Sequence, residues 1–377
     1  MNNLRLTDMI KVLVVDDSAF MRKLIQEFLR EEKNITVVGT ARNGEDALIK
    51  VKLLQPDVIT MDVQMPVLNG LEALKKIMED RPLPVIMLSS STKDGAEDTL
   101  SAMDYGAVDF ISKPSGTISL DLHKVKSELI EKVYAAAGSV PRKQDSAGTE
   151  NSIEHTSFYP TIENEIKTNN KANMEPEAEL PVAGCQKVVL IGTSTGGPRA
   201  LQKVVSHLPK DLGAPVVIVQ HMPAGFTRSL ASRLNTISPL HVKEAEQGDT
   251  LQNDTVYLAP GGYHLTFDQS YSTIKIVLTQ EHPRAGHRPS VDVMLETAAE
   301  LKKVKKIVVI MTGMGTDGSK GLVQLTHKGL AGVIAESQET CIVHGMPKAA
   351  VATGLVNAVC PLPMIAKKIV EYVNDEG

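Results

Sequence analysis

Cysteine is scarce in this chain. Three occur among 377 residues, at Cys185, Cys341 and Cys360, an odd number with no C-x-x-C pair. That spacing excludes a disulfide framework and a thiolate zinc site, and it fits a reducing compartment. Long apolar runs are missing as well. None approaches the roughly 20 residues of a membrane-spanning helix, so no membrane insertion is expected. The first short apolar run stops at Asp16 and Asp17, which does not match a secretory signal. An excess of positive charge is also absent: the net charge of -5 argues against a protein built to grip nucleic acid. These absences together predict a soluble cytoplasmic protein with no nucleic-acid partner.

What is present is a 42% hydrophobic content, ample for buried cores, in a chain long enough for two domains. From Lys11 onward, short apolar runs alternate with amphipathic stretches. Residues 12–15, 36–39, 58–61, 85–88 and 110–112 read as strands. Residues 19–30, 45–54, 71–79, 96–103 and a stretch from about 120 read as helices. Five strands, each followed by a helix, predict a parallel sheet covered on both faces. Its polar residues fall at the ends of strands. Asp16 and Asp17 follow the first, Asp62 ends the third, Ser89 the fourth, and Lys113 follows the fifth. Three carboxylates gathered at one edge repel one another and call for a cation. Oxygen donors favour a hard ion such as Mg²⁺. A lysine and a hydroxyl beside them suit an incoming phosphoryl group.

The pieces Val14-Val15-Asp16-Asp17-Ser18, Met61-Asp62-Val63-Gln64-Met65-Pro66, Asn69-Gly70 and Ser112-Lys113-Pro114 carry a resemblance. Residues 10–127 resemble a response-regulator receiver domain, which is a flavodoxin-like, five-stranded parallel fold. The resemblance implies that Asp62 accepts phosphoryl from a chemotaxis histidine kinase. It implies that Asp16, Asp17 and Asp62 hold Mg²⁺, that Ser89 and Lys113 read the phosphoryl oxygens, and that Phe110 is the switching aromatic. It also implies a cis bond before Pro114. Residues 128–183 read as a flexible linker, rich in Ser, Asn, Thr, Glu and Pro beyond Gly138, with a weak helical turn around 162–166.

The α/β rhythm resumes with Lys187-Val188-Val189-Leu190-Ile191-Gly192-Thr193-Ser194-Thr195-Gly196-Gly197-Pro198. An apolar strand breaks into a glycine-framed turn, and Pro198 suits the first position of a helix. Taken alone, that turn is compatible with a nucleophile, a phosphate cradle or a plain turn. A P-loop would need a lysine after the glycines, and a dinucleotide fingerprint would need glycine where Ser194 stands. Helices are expected at 198–207 and 226–234, and a strand at 215–220. Residues 241–279 read as a hairpin and further short strands. Then come a helix through Val291, Met294, Leu295 and Ala298, a strand at 307–311, a helix at 319–328, a strand at 333–335 and a last helix after Pro361. The expectation is a doubly wound, mainly parallel α/β domain with an antiparallel hairpin insert.

Ser194, His221 and Asp317 each follow an apolar strand, so they can meet at one sheet edge. They form the inventory of a nucleophile, a base and an orienting carboxylate. Each has an ordinary structural alternative as a cap, a core histidine or an Asp-Gly turn. The α/β-hydrolase elbow fits locally, yet that fold orders its triad Ser, Asp, His, and here the order is Ser, His, Asp. The turn around Ser194, together with Gln220-His221-Met222-Pro223, His287-Arg288-Pro289-Ser290-Val291-Asp292 and Thr312-Gly313-Met314-Gly315-Thr316-Asp317-Gly318, gives a second resemblance. Residues 184–377 resemble the catalytic domain of the chemotaxis protein-glutamate methylesterases, a family that places a receiver in front. The resemblance implies a phosphorylation-regulated hydrolase. Its substrates would be glutamate methyl esters and selected glutamines on methyl-accepting chemotaxis receptors. It assigns Ser194, His221 and Asp317 as the triad, with no cofactor for the ester reaction. Amides of Thr195 and Met314 are oxyanion candidates. One departure is Thr193, where the family usually has alanine. Arg284 and Arg288 suit either acidic groups of a receptor or a solvated face.

Overall fold

The structure, a computed structural model, describes residues 9–90, 92–113, 119–138 and 186–375. The expected cis bond before Pro114, Cys185 and the linker residues 139–183 lie outside them. The first unit runs β1 (Ile10–Val15), α1 (Ala19–Arg30), β2 (Ile35–Ala41), α2 (Gly44–Leu54), β3 (Val58–Asp62), α3 (Gly70–Asp80), β4 (Val85–Ser89), α4 (Lys93–Asp104), β5 (Asp109–Ser112) and α5 (Ser119–Ala137). The strands pair in parallel in the order β2-β1-β3-β4-β5. Strands β3 and β4 are buried along their whole length, as expected of unbroken β-branched and aliphatic runs covered on both faces. Ser18, Asn43, Asn69 and Thr92 start α1 to α4, each accepting an amide of the first turn. Helix α5 continues to Ala137 and buries Leu129, Val133 and Ala136 in this unit's core. The helix thus runs past residue 127.

The second unit runs β6 (Lys187–Thr193), α6 (Gly197–Val205), β7 (Val216–Gln220), α7 (Phe226–Ile237), β8 (His241–Glu244), β9 (Thr255–Leu258), β10 (His264–Ser270) and β11 (Thr273–Thr279). It continues with α8 (Val291–Ala298), β12 (Lys305–Ile310), α9 (Ser319–Leu325), β13 (Leu330–Glu336), α10 (Met346–Ala352), β14 (Ala358–Cys360) and α11 (Leu362–Asn374). Seven strands form a parallel sheet in the order β14-β13-β12-β6-β7-β9-β8. Strands β10 and β11 form the antiparallel insert. Residues 241–258 supply the further short strands, and these extend the main sheet. The reason is visible in β9, whose four residues are all buried and which needs a strand on each side. Strand β8 supplies the outer edge with a polar sequence in which only Val242 is buried. Elements α10 and β14 were not anticipated, since three to seven residues carry too little periodicity to announce themselves.

The two units touch. Helix α4 packs on α6 and α7. Asp104 pairs with Arg233 and accepts from Gln202 Nε2 at 2.9 Å. The Phe110 ring stacks on Phe226, with centroids 4.6 Å apart and planes at 25°. No described helix is long and apolar enough to cross a membrane.

Candidate active site

Strand order reverses around β6, which has β12 on one side and β7 on the other. Such a switch point opens a crevice at the carboxyl ends of the strands. Ser194 leaves β6 there. Its turn needs glycine twice: Gly196 sits at φ +78°, and a Cβ on Gly197 would lie 1.9 Å from Gln220 Oε1. The turn is held from both sides. Ser194 N–H donates to Thr312 O at 3.0 Å, and His221 N–H donates to Thr193 O at 3.1 Å. Gln220 Nε2 donates to the carbonyls of both Ser194 and His221, at 3.0 Å each. The Thr193 hydroxyl donates to Gln220 Oε1 at 2.7 Å, a bond that alanine could not make. Ser194 and His221 therefore sit side by side on adjacent strands.

His221 Nε2 meets Asp317 Oδ2 at 2.8 Å, with both side chains almost wholly buried. The carboxylate also accepts Val291 N–H at 2.7 Å, Asp292 N–H at 2.9 Å and the Ser290 hydroxyl at 2.9 Å, all at the start of α8. Burial alone would raise its pKa. The bond and charge of His221, with the amides of Asp292 and Val291, hold it well below the usual carboxylate range instead. Ionised Asp317 accepts from Nε2–H, which leaves Nδ1 as the basic nitrogen. Nδ1 is buried and has no partner among the described residues. A carboxylate that fixes the tautomer and an imidazole lone pair left available are the two requirements for activating a serine hydroxyl.

Two further residues belong to the site, although only their motif drew notice in the sequence. The His287 ring stacks on His221, centroids 3.8 Å apart and 7° from parallel. Burial, and then the His221 ring, pull its pKa down to about 4, against the opposing charges of Asp317 and of Glu128 on α5, while Lys132 adds to the fall. Asp292 Oδ1 accepts the amides of Gly318 and Gly321 at 2.8 Å each. Asp317 thus caps the start of α8 while Asp292 caps the start of α9. Burial and the charge of Asp317 raise the Asp292 pKa. Capping Ser290 ahead of an apolar helix was a legible signal, whereas the ring stack was not. Arg284 pairs with Glu296 at 2.9 and 3.1 Å, and Arg288 donates to the carbonyls of Gln280 and Glu281.

The neutral state of His287 predicts a pH response. Folded His287 binds its proton only near pH 4, whereas an unfolded imidazole binds it near 6.5. Between those values the unfolded chain holds more protons, so stability falls as the pH drops through the window. The loss between pH 7 and pH 5 is about 2 kcal/mol. Urea unfolding at both pH values should show it in the wild type and a smaller fall in His287→Phe. Equal falls in the two proteins would count against this account.

In the first unit, oxygens of Asp16, Asp17 and Asp62 lie within 4.8 Å of one another. Lys113 Nζ bridges Asp16 Oδ2 at 2.9 Å and Asp62 Oδ2 at 2.7 Å. Burial and the nearby Asp16 raise the Asp62 pKa, with Lys113 working against them. One lysine does not balance three carboxylates, and the all-oxygen donor set fits a hard divalent cation. A cavity of about 230 Å³, lined by Asp62, Ser89, Gly95 and Lys113 among others, lies beside it. The Ser89 hydroxyl donates to Gly95 O at 2.9 Å and accepts from Thr99 at 2.7 Å, so it is turned toward α4. Phe110 faces the second unit. Lys132 donates to its carbonyl and bonds Glu128 at 2.8 Å, and although burial opposes its charge, Asp109 and Glu128 push its pKa up to about 12.

Residues 189–369 match the family described as CheB methylesterase, and residues 12–123 match the response regulator receiver domain. The chain is 51% identical over 372 residues to a protein-glutamate methylesterase/protein-glutamine glutaminase of Geobacillus kaustophilus, covering 97% of this chain and 99% of that one. It is 52% identical over 361 residues to the protein of the same description from Halalkalibacterium halodurans, covering 96% and 97%. Among solved structures, the Thermotoga maritima CheB methylesterase catalytic domain is 46% identical, with a TM-score of 0.48. The match covers 50% of this chain and 99% of that one.

Proposed function

This chain belongs to the CheB methylesterase family, with a response-regulator receiver domain in front, and on that premise we propose that Ser194, His221 and Asp317 carry its hydrolysis and Asp62 its control. Its activity is that of a protein-glutamate methylesterase and protein-glutamine glutaminase on chemoreceptors. The observation that supports this set of residues best is the 2.8 Å His221–Asp317 bond beside the Ser194 turn.

Ser194 Oγ attacks the carbonyl carbon of a γ-glutamyl methyl ester on a methyl-accepting receptor, and its proton passes to His221 Nδ1. Asp317 stabilises the imidazolium through Nε2–H. The amides of Thr195 and Met314 face the carbonyl oxygen as it gains charge; losing one such donor typically costs ~10²–10³ in rate. The imidazolium returns its proton to the leaving methoxide and methanol departs. Water, deprotonated by His221, then attacks the acyl carbon, and the imidazolium returns that proton to Ser194 Oγ as it leaves, freeing glutamate and the enzyme. With a glutamine substrate the leaving group is ammonia. Protein groups and water balance every step, so the ester reaction needs no cofactor.

In the receiver domain Asp62 accepts phosphoryl from a chemotaxis histidine kinase. Asp16, Asp17 and Asp62 would hold Mg²⁺, which when bound neutralises the charge gathered around the phosphoryl group. New oxygens on Asp62 draw the Ser89 hydroxyl away from Gly95 and Lys113 away from Asp16. That repositions α4 and β5, the elements that carry Asp104 and Phe110 to α7. Phosphorylation thereby loosens a receiver that restrains the catalytic domain at rest.

Methanol release from methyl-labelled receptor membranes, with and without acetyl phosphate, tests the reading. Arg233→Glu, which breaks the contact with Asp104, should raise the unstimulated rate by about 5–30-fold, within the usual range of allosteric coupling. Asp62→Asn should abolish the response to acetyl phosphate and leave the basal rate in place. An unchanged basal rate in Arg233→Glu would argue against restraint through α4.

A further inference from the structure

Glu336 ends β13, one strand beyond β12, and has no exposed surface. A carboxylate so far from water is costly to keep. The fold offers it a specific task, since Oε2 accepts Thr312 N–H at 2.8 Å. Every polar atom of Thr312 is engaged around the nucleophile turn. Its carbonyl accepts Ser194 N–H at 3.0 Å. Its hydroxyl donates to Thr195 O at 2.9 Å and accepts the amides of Ile342 and Val343 at 3.1 Å each. The next residue, Gly313, is pressed so closely against Ser194 that a Cβ there would lie 2.8 Å from Ser194 Cβ. Met314 follows directly.

We propose that Glu336 is a positioning residue for the esterase reaction: through Thr312 it sets the placement of Ser194 and of the Met314 amide relative to the reacting carbonyl. This rests on the assignment of Ser194 as nucleophile. Glu336 touches neither substrate nor His221 in this scheme. Its carboxylate anchors a residue that hydrogen-bonds the turn after β6 to the loop after β12. Misplacing reacting groups by a fraction of an ångström to 1 Å lowers the rate of the chemical step, and neither Glu336 nor Thr312 has more than a trace of exposed surface with which to bind a receptor.

The test uses the full chain and methylated receptor membranes, with kcat and KM measured separately. Glu336→Leu keeps the volume and removes the acceptor, and it should lower kcat by about 10–100-fold with KM within about twofold. Glu336→Gln still offers an oxygen to Thr312 N–H and should recover most of that loss. Wild-type kcat in Glu336→Leu, a loss expressed in KM, or a Gln variant as impaired as the Leu one would each overturn the inference. If Glu336→Leu does not fold, Thr312→Val and Thr312→Ser examine the next link. The valine variant should lose kcat and the serine variant recover it, and wild-type kcat in Thr312→Val overturns the inference equally. Ser194→Ala is measured in parallel. If that variant stays active, the triad itself fails; if it is dead while Glu336→Leu is unaffected, only the present inference fails.

Discussion

Ser194→Ala should lower methanol release from methyl-labelled receptors by roughly 10⁴–10⁶-fold while the protein remains folded. The large effect follows from chemistry: alanine has no atom that can form the acyl-enzyme, and water then has to attack an ester held by oxyanion donors alone. The intact fold follows from geometry. The bonds that hold residue 194 run through its backbone, from its N–H to Thr312 O and from Gly197 N–H and Gln220 Nε2 to its carbonyl. One hydroxyl is lost and no buried apolar contact goes with it. Circular dichroism and the urea midpoint should match the wild type. A variant that keeps even a tenth of the wild-type rate would remove Ser194 from the mechanism.

Asp317→Asn should cost about 10³–10⁴ in kcat, and for a different reason. The Asp317 carboxylate receives four donors: His221 Nε2–H, the Ser290 hydroxyl, and the amides of Val291 and Asp292. An amide offers one oxygen and an NH₂ group in the same space, so at least one donor would meet another donor. If the NH₂ turns toward His221, Nε2 must become the acceptor and the ring proton moves to Nδ1. The basic nitrogen is then lost to Ser194. Oxygen toward His221 preserves the tautomer but leaves the start of α8 facing NH₂. The variant should therefore lose stability as well. Because the native pKa lies below the ordinary carboxylate range, the contribution of Asp317 to stability is complete at neutral pH. It fades only as the pH falls from about 4 toward the depressed native value. Urea unfolding at pH 7 should show the Asn variant weakened by about 1–3 kcal/mol. A variant with near wild-type kcat would mean that Asp317 serves the cap of α8 and not the base.

Much of this was written locally in the chain. Apolar runs of three to seven residues predict strands that lead into Asp16, Asp62, Ser89, Lys113, Ser194, His221 and Asp317. Strand period and turn chemistry are short-range properties, so the two α/β units, and the polar residues that close their strands, were legible without coordinates. The order of the strands was not. It places Thr312 beside Ser194 and Glu336 beside Thr312, across gaps of more than 20 residues that no periodicity records.

Tertiary structure also decided which nitrogen of His221 faces its carboxylate, that His287 lies flat on the same ring, and that Asp292 and Asp317 exchange helix caps. It joined β8 and β9 to the parallel sheet and carried the receiver's last helix to Ala137. It seated Phe110 on Phe226. A residue's type and its immediate neighbours determine what chemistry it can perform. Which partner tunes or restrains it depends on distances of 3 to 5 Å between segments far apart in the chain, and those exist only once the sheets have formed.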